Sequence, residues 1–60
     1  MRTFISYYEA QQMIERMRGT QHWEINDQNL QTVSLSRFPI DYRLTFHESS
    51  VELSSSNRIA

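Results

Sequence analysis

Cysteine and lysine are both missing from this chain, and glycine and proline occur once each. Without cysteine there can be no disulfide and no thiolate metal site. That removes the small secreted disulfide scaffold from consideration and favours a reducing cytoplasm. Gly19 is the sole glycine, so no G-x-G-x-x-G or G-K-[ST] loop exists to cradle a nucleotide phosphate. No apolar run approaches the roughly 18 residues of a membrane span. The opening MRTFISYYEAQQ also lacks the apolar core of a secretory signal, and Glu9 arrives too early for one. The expectation is a cytoplasmic protein without a membrane or cofactor role.

The charges are nearly balanced: six basic residues, all arginine, stand against seven acids, for a net charge of −1. A nucleic-acid binder normally carries a concentrated basic footprint, and this composition lacks one. Arginine is suited to bidentate and stacked contacts at interfaces. A net charge this close to zero does little to oppose self-association. A chain of sixty residues makes at most one domain, burying only about 60% of the surface its unfolded form exposes. With no disulfide to help, stability must come from a compact core, a partner or a second copy, so a homodimer is one expected arrangement.

What is present begins with SYYEAQQMIERMRG. Ser6 and Glu9 have the S-x-x-E spacing of a capping box, in which each side chain satisfies a backbone N–H of the other. Ile5 and Ala10 stand at the positions of a hydrophobic staple. Gly19 supplies a left-handed stop, and Arg16 and Arg18 suit the negative end of the helix dipole. These signals predict a helix over 7–18. Its apolar residues Tyr7, Ala10, Met13, Ile14 and Met17 fall within a stripe of about 120°, as packing on a core requires. Tyr8 falls nearly opposite, with Gln12, Glu15 and Arg16. Of the two adjacent tyrosines, Tyr7 is therefore expected to pack and Tyr8 to face solvent.

Beyond Gly19 the apolar period changes to two, the mark of half-buried strands. Trp23 and Ile25 alternate with His22 and Glu24. Asn26-Asp27-Gln28-Asn29 signals a turn. Val33 and Leu35 alternate with Thr32, Ser34 and Ser36, and Pro39 ends that run or marks a bulge. Tyr42, Leu44 and Phe46 alternate with Asp41, Arg43, Thr45 and His47. After the turn Glu48-Ser49-Ser50, Val51 and Leu53 face inward. The predicted fold is α+β: one N-terminal amphipathic helix packed on a three- to four-stranded antiparallel sheet, with Arg2–Ile5 as a candidate extra edge strand. Residues 1–53 form the expected domain and 54–60 a polar, fraying tail.

A single helix covers one sheet face, so the other meets water or a partner. Its expected members are His22, Glu24, Thr32, Ser34, Ser36, Asp41, Arg43, Thr45, His47 and Glu52. Two surfaces are candidate binding sites: Tyr8, Gln12 and Arg16 on the helix exterior, and Arg43 and His47 on the open sheet face. Both combine aromatic or arginine chemistry of the kind that dominates interface hot spots. No Ser, His, Asp or Glu spacing marks a catalytic constellation, and His22, Glu24 and His47 have no spacing that marks a metal site. The chain is read as a non-enzyme.

YRLTFHESSVEL, Tyr42 to Leu53, resembles the strand-turn-strand wing of small phage excisionases, which bend DNA during recombination. The resemblance covers about a dozen residues and implies a DNA-binding accessory protein, although no basic recognition helix precedes the wing. The first expectation is instead a small regulatory protein acting by protein–protein contact, of the type of a phage or mobile-element inhibitor of a host machine. DNA binding is the alternative. The capping box carries its own test: Ser6→Ala should cost about 0.5–2 kcal/mol in urea unfolding. No measurable loss would mean the helix starts elsewhere.

Overall fold

The computed structural model describes residues 2–59. A first strand, β1 (Arg2–Ile5), leads into α1 (Tyr7–Arg16). Four strands follow: β2 (His22–Ile25), β3 (Gln31–Arg37), β4 (Ile40–Phe46) and β5 (Val51–Asn57). The fold is α+β, with one five-stranded antiparallel sheet in the order β1-β5-β4-β3-β2. Three to four strands were expected. The fifth is Arg2–Ile5, which precedes the helix and pairs with β5 from Arg2↔Ser54 to Ile5↔Val51. Pairing with a strand distant in sequence leaves little local signal in a four-residue segment.

The helix starts as its sequence dictates. Ser6 is the N-cap: its hydroxyl accepts from the Glu9 N–H at 3.1 Å, and the Glu9 carboxylate reaches back to the Ser6 N–H. The end differs from the predicted 7–18. The last helical residue is Arg16 and Met17 is the C-cap, its N–H donating to the Met13 carbonyl. Gly19 does take a left-handed conformation, with φ of 97°. It does so inside a turn closed by the Thr20 N–H on the Met17 carbonyl, two residues beyond the cap. The Gln21 amide then donates to the Ile14 carbonyl at 3.1 Å, satisfying one orphan acceptor of the last turn.

β1 and β2 occupy opposite edges of the sheet, so the connection that contains α1 crosses one whole face. Beneath it the register aligns rows of inward side chains: Leu53, Leu44, Val33 and Trp23 in one, Ile5, Val51 and Phe46 in the next. Ala10, Val33, Leu35, Leu44 and Val51 are fully buried, with Ile5, Met13, Ile14, Met17, Tyr42, Phe46 and Leu53 packed around them. Three residues expected in this core lie at its margin. Tyr7 is 43% exposed, Trp23 44% and Ile25 71%. For Trp23 and Ile25 the reason is width. Five strands span roughly 19 Å, whereas one helix with its side chains is roughly 10–12 Å across. β2, at the far edge, projects beyond what α1 can cover.

The two adjacent tyrosines differ in degree, since Tyr7 too is partly exposed. The Tyr7 ring lies 6.0 Å from that of Phe46, and its hydroxyl donates to the His47 carbonyl. Tyr8 is 71% exposed.

The chain end departs from expectation. Ser54, Ser55 and Ser56 are not a tail but part of β5, paired with Arg43, Tyr42 and Asp41 of β4. A backbone ladder needs no apolar side chain, so a serine run continues a strand wherever its neighbour does. The β3–β4 connection is the pair Phe38-Pro39, joined by a cis peptide bond, so Pro39 ends its strand as read.

Coverage by the helix predicts a contrast. Leu44→Ala, at the centre of the core, should cost about 2–5 kcal/mol. Ile25→Thr should stay within about 0.5 kcal/mol of wild type. Comparable losses in urea unfolding would contradict this placement of the core.

Candidate functional site: the open sheet face

Alternation along each strand puts every second side chain on the face away from α1, and the register joins these into rows. The central row runs Arg2, Ser54, Arg43, Ser34, His22 from edge to edge. Beside it runs Phe4, Glu52, Thr45, Thr32, Glu24, and on the other side Ser56, Asp41, Ser36. The ten residues assigned to this face by alternation fit that arrangement in direction, although Thr32 is buried among its neighbours.

Two ion-paired clusters flank the middle. At one end Glu52 joins Arg2 at 2.7 Å and His47 at 3.2 Å, and the His47 ring lies 5.9 Å from Phe4. At the other end Arg58 grips Asp41 with two hydrogen bonds, Nε to Oδ2 at 2.7 Å and Nη2 to Oδ1 at 2.6 Å, and Nη2 also donates to the Ser36 hydroxyl. The Arg58 guanidinium holds the Asp41 carboxyl below the ordinary carboxylate range. Desolvation opposes this, and the Ser36 hydroxyl adds to it. The same pairing raises Arg58.

Between the clusters stands Arg43. It is exposed, lies between Ser34 and Ser54 on the neighbouring strands, and makes no hydrogen bond or ion pair among the described residues. An open trough of about 470 Å³ runs beside it, lined by Ser34, Asp41, Ser54, Ser55, Ser56 and Arg58 among others. A second hollow, with Glu24 and Thr32, opens on its other side. The arrangement offers one unsatisfied guanidinium set among hydroxyls, which suits a bidentate hydrogen bond to an oxyanion.

The candidate residues therefore separate. Arg43 and His47 share the open face, but His47 is engaged by Glu52 and Arg43 is not. Tyr8 and Arg16 are exposed and Gln12 is half-buried on the helix, on the opposite side of the sheet. His22 and His47 share a face but stand near opposite edges, and among the described residues no three His, Asp or Glu side chains form a metal-holding group. Sequence reading missed Arg2, Phe4, Ser54, Ser56 and Arg58 as members of this face. Arg2 and Phe4 follow once β1 is admitted as a strand. Nothing local marks Arg58, whose partners are seventeen and twenty-two residues away. No family model, curated protein or solved structure matches the chain.

The Asp41–Arg58 clamp sets a pH dependence. The folded carboxyl is more acidic than the unfolded one, so its contribution is present above the unfolded pKa and lost as pH falls through the folded value. Asp41→Asn should melt below wild type at neutral pH, and the gap should close on acidification below about pH 4. A gap that stays constant across thermal melts at those pH values would show that the clamp adds nothing through charge.

Proposed function

We propose that this chain is a small non-enzymatic binding protein that acts by protein–protein contact, with the open sheet face as its recognition surface and Arg43 as its anchor. The observation that carries this reading is the unengaged Arg43 guanidinium at the centre of a hydroxyl-rich face, while Glu52 and Asp41 on that face are already held by Arg2, His47 and Arg58, and Glu24 borders the hollow on one side of Arg43. The complementary partner surface presents a carboxylate to Arg43 and polar groups to Ser34 and Ser54. Affinity concentrates in such a guanidinium, and the surrounding hydroxyls supply fit. A regulatory or inhibitory role follows from occupying a partner's surface.

Duplex DNA fits this distribution less well. Arg16 and Arg43 lie on opposite sides of the sheet, and Arg2 and Arg58 are paired with acids, so the described cations are divided between the two faces. The Tyr42–Leu53 stretch is a strand-turn-strand, but β4 and β5 are interior strands with neighbours on both sides, not a projecting wing.

Amide chemical shifts distinguish the two. Titration of labelled protein with a glutamate-rich peptide at low salt should move the signals of Ser34, Arg43 and Ser54, and Arg43→Gln should abolish the effect. On a natural partner the loss should be on the order of 2 kcal/mol. Shifts produced by duplex DNA alone and erased by salt would replace this reading with the DNA-binding one. Peptide shifts confined to Tyr8, Gln12 and Arg16 would move the surface to the helix exterior.

A further inference from the structure

β2 is an edge strand, and its far side has no neighbour among the described residues. The Asn26 N–H donates inward to the Leu30 carbonyl of the β2–β3 connection. Backbone groups alternate along a strand, so those of Glu24 and His22 also turn toward β3, and those of Trp23 and Ile25 turn outward to the free edge. The side chains of these same two residues lie on the helix-bearing side, beyond the reach of α1. There they line a mostly apolar hollow of about 410 Å³. Trp23 has support on one side only, stacked on Phe46 at 5.9 Å between ring centroids. The edge thus presents open hydrogen-bonding groups and uncovered apolar side chains together, the combination that invites another strand. The other edge differs: on the helix-bearing side β1 offers Thr3 and Ile5, and Ile5 is already packed on the core.

We infer that β2 pairs antiparallel with β2 of a second copy about a two-fold axis at Trp23, making one ten-stranded sheet. Of the even registers, those centred on Trp23 and on Glu24 pair the most residues of β2, and charge separates these two. Only even registers match outward-facing backbone groups, and they keep both helices on the same side of the joint sheet. An axis at Glu24 would place Glu24 directly opposite Glu24 of the second copy, a like-charge pair that opposes association. An axis at Trp23 places His22 opposite Glu24 of the second copy, twice by symmetry, with the two indoles adjacent on the apolar side. Within one chain His22 faces Ser34 and Glu24 faces Thr32, so neither side chain has a charged residue directly opposite it. The joint sheet sets both Arg43-bearing faces side by side, although the pairing does not depend on what those faces bind.

Sedimentation equilibrium from micromolar to millimolar concentration tests this. The wild type should pass reversibly from monomer to dimer. His22→Glu, which sets acid against acid, should raise the dissociation constant about tenfold. The exchange His22→Glu with Glu24→His should restore it, because the pairs are again complementary. Unchanged far-UV circular dichroism establishes that each variant is folded, and rescue by the exchange excludes a general effect of substitution. A monomer throughout the range would overturn the inference. So would a dimer indifferent to His22→Glu, one that the exchange fails to rescue, or one abolished by Phe4→Ser on the β1 edge.

Discussion

One ten-residue helix must cover a five-stranded sheet, and it is too narrow to do so. The core gathers where α1 lies, over β3, β4 and β5, and its fully buried side chains are Val33, Leu35, Leu44 and Val51 with Ala10 above them. Ala10 has the right size for a helix held close to a sheet. What the helix cannot reach becomes surface: the entire far face, and the projecting margin at Trp23 and Ile25. Both candidate interfaces follow from this shortfall.

The open face is stabilised by polar means instead. Its serines and threonines lie on the side of the sheet away from the core. Glu52 is bound at one end by Arg2 and His47, and Asp41 at the other by Arg58. Arg58 also fastens the end of the chain, since its N–H donates to the Pro39 carbonyl while its guanidinium holds Asp41 and Ser36. That clamp occupies Asp41, while Arg43 makes no ion pair among the described residues.

Much of this was legible locally. The capping box, the two alternating runs at 31–37 and 40–46, and the separation of Tyr7 from Tyr8 are consequences of period and spacing, and the backbone follows them. The rest depended on partners remote in sequence. β1 is a strand because β5 lies beside it, and the serine run continues β5 because β4 does. Trp23 and Ile25 alternate as core residues should, and they do point to the helix side. Their exposure is a matter of how far the helix extends, which periodicity does not encode. Gly19 has the left-handed backbone its residue type favours, but the turn formed by Met17 and Thr20 sets where the helix stops. Alternation puts Arg43 and His47 on the open face, while Arg58, which binds Asp41 there, carries no local mark.

Trp23 is the single tryptophan of the chain, and its fluorescence reports directly on the limit of helix coverage. The first measurement is acrylamide quenching and emission maximum of dilute protein, at concentrations where sedimentation gives a monomer. A helix that stops short of β2 predicts a partly exposed indole: emission between the buried and fully solvated extremes, and ready quenching that unfolding in urea increases only modestly. Blue-shifted emission with strong protection in the monomer, abolished by urea, would mean that the core extends over β2 and that no uncovered margin exists.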